Sequence, residues 1–175
     1  LLSFVRIDNS EARLDRVDLN ESIEDTRQVL SDAIEKAGAT LHVDPLPAVR
    51  GDRTLLGLLL QNLVSNALKF HRPGEAPVIR ILAESDEHEL RIQVIDNGIG
   101  IADGFHEKIF GVFQRLHARS EYEGTGLGLS LSRRIADMHG ARLYVESEEG
   151  RGSCFVLALP LSACLPTAPP RMAAA

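Results

Sequence analysis

The run Gln61-Asn62-Leu63-Val64-Ser65-Asn66-Ala67-Leu68-Lys69-Phe70 closes an apolar segment that begins after Asp52, and the rest of the chain is read from it. Asp52 is a good N-cap and Pro73-Gly74 a stop. Between them Leu55, Leu56, Leu59, Leu60, Leu63 and Leu68 have the spacing of one helix with a buried face. Asn62 and Asn66 are one turn apart and Lys69 follows three residues later, so all three project from nearly one face. A polar stripe on such a helix is either a solvated face or half of a binding site.

Upstream, the spacing of Ile23, Val29, Leu30, Ala33, Ile34 and Ala37 predicts a helix over 20–37 stopped by Gly38, followed by a short strand at Thr40 to Val43. Downstream, strands are expected over 78–83 and 90–95 around the turn Ser85-Asp86-Glu87. The segment from Asp96 to Thr125 has no continuous period, and connections of that length are usually functional lids or disordered. A helix is expected from near Leu127 to His139-Gly140, then strands over 142–146 and 153–159 joined by Gly150-Arg151-Gly152. Leu1, Leu2 and Val5 read as the end of a helix, and the Pro- and Ala-rich residues after Pro160 as a disordered tail.

Several of these stretches can carry chemistry. An amide oxygen can complete the shell of a Mg²⁺ that takes its other ligands from phosphates and water, and Lys69 would meet a phosphate as a point charge. Asp96-Asn97-Gly98-Ile99-Gly100 ends the strand of Ile92, Val94 and Ile95. A carboxylate fixed there could accept from the exocyclic amine of adenine and reject guanine, which has a carbonyl in that place. Gly98 and Gly100 would permit close backbone approach to a ligand; taken alone, Asp-Asn-Gly is simply a turn. Gly124-Thr125-Gly126-Leu127-Gly128-Leu129 leads into a helix, so free N–H groups and the positive dipole end would face an anion. Its spacing is not G-x-G-x-x-G, and the chain contains no G-x-x-x-x-G-K-[ST], which argues against dinucleotide-fold and P-loop readings. In Phe110-Gly111-Val112-Phe113-Gln114-Arg115 the two aromatics could anchor a loop while Arg115 points at phosphate, or they could belong to a short core helix. His88-Glu89-Leu90-Arg91 spells the surround of a phosphorylated histidine in certain kinases, but it enters a short alternating strand rather than a long helix.

The bulk numbers constrain the rest. The 175 residues suit one domain, 44% hydrophobic and 25% charged, and the net charge of -6 disfavours a nucleic-acid partner. No apolar run reaches the roughly 18 residues of a membrane span, and Leu1-Leu2-Ser3-Phe4 resembles neither a signal peptide nor a natural start. The chain therefore reads as part of something longer. Cys154 and Cys164 form no CxxC pair or Cys/His metal set, and a reducing, cytoplasmic setting fits them.

Taken in order, the four stretches resemble the catalytic, ATP-binding domain of bacterial sensor histidine kinases, in the superfamily of gyrase, chaperone and mismatch-repair ATPases known as GHKL. The run from Phe113 to Thr125 is similar to the phytochrome-type branch. The resemblance implies a two-layer α/β sandwich of the Bergerat type, a mixed sheet covered on one face by helices, with a long ATP lid from about Ala102 to Thr125. It divides the chain into the end of a dimerisation helix and a linker (1–16), the catalytic domain (17–160) and a tail (161–175).

It implies Asn66 as the Mg²⁺ ligand, Asp96 as the adenine reader, and Asn62, Lys69 and Arg115 as the catalytic groups at the phosphates. Around the nucleotide it places Phe70, Gly98, Gly100, Ile101, Gly124, Thr125, Gly126, Leu127, Gly128, Leu129 and Ser153. The implied reaction passes the γ-phosphoryl of ATP to a histidine of a dimerisation domain of the same protein, and then to an aspartate of a response regulator. The parent would be a homodimer, membrane-anchored or not, and this portion would contact neither membrane nor nucleic acid. Superfamily ATPases carry a water-activating Glu where this chain has Asn62, and an amide is no base, so hydrolysis should be slow. Two rivals stand: a nucleotide-sensing module that transfers nothing, and a motor-type ATPase with its base elsewhere.

Overall fold

The computed structural model describes residues 14–112 and 126–165. Five strands form a mixed sheet in the order β2 (Thr40–Val43), β4 (Val78–Ser85), β5 (Glu89–Asp96), β7 (Gly152–Pro160), β6 (Arg142–Glu148). The β2–β4 pair is parallel and the others antiparallel. Helices α1 (Leu19–Val29), α2 (Ser31–Ala37), α3 (Arg53–Lys69) and α4 (Gly128–Met138) accompany it. The core lies between α1, α3 and α4 and the sheet face bearing Ile79, Ile81, Leu90, Ile92, Val94, Phe155, Leu157 and Leu159. Two layers result, because each strand buries alternate residues and each helix one stripe.

Helix α3 is the central element. Asp52 caps it, its Oδ1 accepting from Leu55 N–H at 3.0 Å, and Leu56, Leu59, Leu60 and Leu63 are fully buried. The expected helix over 20–37 is instead two. Leu30, at φ -97° and ψ 9°, separates α1 from α2, and Gly38 ends α2 at φ 60°. The break leaves Val29 outside and turns Leu30, Ile34 and Ala37 toward the core. The 78–83 and 90–95 strands are present and somewhat longer, as is the pair enclosing Gly150.

A second, three-stranded antiparallel sheet was not anticipated: β1 (Asp15–Asp18), β3 (Ala48–Gly51) and β8 (Cys164–Leu165), with β3 central. It corrects the tail expectation, since Leu161–Ala163 form a 3-10 turn and Cys164 and Leu165 pair with Val49 and Ala48. Ordered structure thus runs five residues past Pro160. The remainder of the tail, and the helix end expected at Leu1 to Val5, lie outside the described residues.

Candidate nucleotide site

Asp96 is the last residue of β5, and two backbone donors hold its Oδ1: Gly98 N–H at 2.8 Å and Ser153 N–H at 3.2 Å. Among the described residues no donor reaches Oδ2 and no cation pairs with the carboxylate. Burial pushes its pKa above the usual carboxylate range, while the Gly98 and Ser153 amides pull it down. A buried carboxylate with one oxygen committed and the other open is suited to accept from a ligand N–H.

The loop after Asp96 is stitched to the protein on all sides. Ile99 N–H donates to the Phe70 carbonyl at 2.9 Å, Gly150 N–H to the Ile99 carbonyl at 2.7 Å, and Ile101 N–H to Ser147 Oγ at 2.9 Å. A side chain at Gly98 would run into the Phe70 carbonyl, and one at Gly100, where φ is 70°, into the Glu148 carbonyl. The close approach these glycines permit is to the chain itself, and it locks the loop to the end of α3. Ser153, buried behind the loop, supplies the backbone donor to Asp96.

Asn62 and Asn66 lie on α3, each half-buried. Asn62 Nδ2 donates to the Gly128 carbonyl and to Ser132 Oγ, both at 3.4 Å, which brings the Asn stripe against the start of α4. The Asn66 amide has no hydrogen bond among the described residues. Lys69 Nζ stands 4.5 Å from the centre of the Phe70 ring at the helix end. Gly126 takes φ 71°, Leu127 caps α4, and no side chain of the described residues caps the N–H groups of Gly128 and Leu129.

Phe110 is buried, edge-to-face with Phe155 at 6.5 Å and beneath the Arg133 guanidinium at 4.8 Å, a placement that suits a loop anchor as well as a core residue. Phe113, Arg115, Gly124 and Thr125 lie outside the described residues. His88 sits at the β4–β5 hairpin, its N–H bonded to Asp86 Oδ1 at 2.8 Å.

Two supporting residues escaped the sequence reading. Asn97 pins the loop to the β4 edge, accepting from Val78 N–H at 2.8 Å and donating to the Ala76 carbonyl at 3.1 Å. Ser147 accepts from Ile101 and donates to the Gly152 carbonyl at 2.7 Å. Only the Asp-Asn-Gly turn signal hinted at Asn97; nothing local marked Ser147.

A mixed sheet under antiparallel helices, with an Asn-bearing helix joined to an Asp-Gly loop and an uncapped helix start, defines a nucleotide-binding domain of the P-loop-free kind. The chain belongs to the histidine kinase-, DNA gyrase B- and HSP90-like ATPase family, whose model matches residues 51–163. It is homologous to sensor histidine kinase catalytic domains. It is 40% identical over 161 residues to cyanobacterial phytochrome A of Nostoc sp. strain PCC 7120, an alignment covering 92% of this chain and 21% of that protein. The chain thus spans about a fifth of that relative's length. Among solved structures, the catalytic domain of histidine kinase ThkA is 31% identical with a TM-score of 0.69, covering 84% of this chain and 97% of that one. Full-length ShkA in complex with AMPPNP is 26% identical with a TM-score of 0.79, covering 97% of this chain and 36% of that one.

Proposed function

We propose that this chain is the ATP-binding catalytic domain of a two-component sensor histidine kinase, passing the γ-phosphoryl of Mg²⁺-ATP to a histidine on a dimerisation domain of the same protein. The observation that carries the reading is the Asp96 carboxylate, buried with no cation beside it and no donor to Oδ2 among the described residues. The donor set fits the group: among the described residues one carboxylate oxygen is open, the Asn66 amide is unengaged and the start of α4 has no side-chain cap, with the Lys69 ammonium at the end of α3. When bound, Mg²⁺-ATP supplies the transferable phosphoryl group and a cation to offset its charge.

The chain's residues then divide the work. Asp96 Oδ2 accepts from the exocyclic amine, and Phe70 and Ile101 give the base an apolar surround. Asn66 offers its amide oxygen to the metal, while Lys69, Arg115 and the backbone from Gly124 to Leu129 neutralise phosphate charge. Asn62 has no basic lone pair, and its Nδ2 is turned toward Gly128 and Ser132, so nothing there activates water. A response regulator follows as the downstream acceptor; ThkA has been solved in complex with the response regulator protein TrrA. Residues 17–160 form the catalytic unit in this reading, in a homodimeric parent and a cytoplasmic setting. Titration calorimetry with Mg²⁺-ATP, followed by a phosphate-release assay, tests it. Saturable binding with negligible turnover is expected, and brisk hydrolysis would overturn the role given to Asn62.

A further inference from the structure

We propose that His139 is a positioning residue of the nucleotide site, setting the register between the helix that carries Asn62 and Asn66 and the helix whose start receives phosphate. The proposal rests on the functional reading above. His139 ends α4 and is buried. Its Nδ1 lies 2.7 Å from the Ile135 carbonyl, which can only accept, so the proton is on Nδ1. Nε2 is left as an acceptor, and the Asp52 backbone N–H donates to it at 2.9 Å. Asp52 is the N-cap of α3, so one ring joins the end of α4 to the beginning of α3.

The two helices run antiparallel, with a second tie near the site. Asn62 bonds to Gly128 and Ser132 ten residues along α3 from Asp52, roughly 15 Å away at the rise of an α-helix. That near tie is long, both separations being 3.4 Å, whereas bonds of this kind cluster near about 2.9–3.0 Å. The far tie is shorter, 2.9 Å from the Asp52 N–H to Nε2, and the ring that makes it is anchored within its own helix by the 2.7 Å bond to Ile135. Of the two polar ties described between α3 and α4, the firmer is thus at the end remote from the proposed nucleotide. The surroundings are shaped to it: a side chain at Gly51 would press on the His139 ring and on Leu56. The ring's two bonds are both to backbone, so they fix helix position rather than any neighbouring side chain.

Loss of the acceptor should therefore disturb the phosphate half of the site, which spans both helices, and spare the adenine half built on β5 and β7. Affinities for Mg²⁺-ATP and for adenosine, measured well below each variant's melting temperature, test this. His139→Leu fills the space without an acceptor, and His139→Ala gives the same comparison if the Leu variant does not fold. Either should weaken Mg²⁺-ATP about five-fold, the equivalent of one net hydrogen bond, and leave adenosine within about two-fold. His139→Gln, which restores an acceptor near Nε2, should recover most of the Mg²⁺-ATP affinity. A lower melting temperature with both affinities unchanged, or an equal loss for both ligands, would overturn the proposal as a merely structural role. If the unsubstituted chain binds neither ligand, the functional reading fails, and the role of His139 with it.

Discussion

In the proposed site Asp96 is the residue whose chemistry would become selectivity. Its first oxygen is consumed by Gly98 and Ser153, so only the second can report on a ligand. In Asp96→Asn the amide oxygen can keep both backbone bonds, which puts the NH₂ where Oδ2 was, facing an adenine amine donor to donor. Affinity for adenine nucleotides should fall about ten- to hundred-fold by calorimetry, the cost of an unsatisfied buried pair. The melting temperature near neutral pH should hold or rise, because the ionised carboxylate is held against its burial. Unchanged affinity would remove Asp96 from the site.

The sign of the pH dependence follows from the same burial. The folded chain holds the Asp96 proton more tightly than the unfolded chain, whose value is about 3.9. Between that value and the raised one, the stability contribution of Asp96 declines as pH rises. Nucleotide affinity moves the other way: it is full above the raised value and falls as pH drops through it. Because Asp18 and Asp86, held below the usual carboxylate range, add slopes of their own, the Asp96 contribution is read as the difference between the unsubstituted chain and Asp96→Asn: that difference should slope downward with pH in melting and upward in binding. At this scale the sequence displayed the residues proposed to touch ligand, because they stand in compact runs. Asn97, Ser147 and His139 were illegible, since their partners at Val78, Ile101 and Asp52 are remote in the chain.

Among the elements, α3 was readable from its leucine spacing and its cap, and α4 from its glycines at both ends. Asp52→Ala removes the side-chain acceptor of Leu55 N–H and should cost about 1 kcal/mol in urea unfolding. An unaltered midpoint would mean that the cap contributes nothing to α3. The break at Leu30 was hidden because apolar residues continue in helical spacing on both sides of it. Strands β1, β3 and β8 were hidden for another reason. Two to four residues allow at most one or two alternations, and Asp15-Arg16-Val17-Asp18 shows a single buried residue among charges. Their pairing satisfies backbone groups across long sequence separations, and no local pattern records that.

For the whole molecule, α3 meets the start of α4 through Asn62 and the loop after Asp96 through the Phe70 carbonyl, so the groups proposed for phosphate and for adenine are both tied to one helix. The two-layer class was legible because strand and helix periods alternate cleanly along the chain; the small three-stranded sheet was not. No helix among the described residues is long and apolar enough to cross a membrane. Sensor histidine kinase chemistry requires an acceptor histidine, and His88 cannot supply it from a hairpin. The most direct measurement supplies that acceptor separately: the chain, Mg²⁺ and γ-labelled ATP are incubated with a dimerisation domain from the parent protein. The account predicts acid-labile label on the dimerisation domain, dependent on Asp96. Saturable ATP binding with no label transferred would contradict it, and would favour a module that senses nucleotide without passing phosphate on.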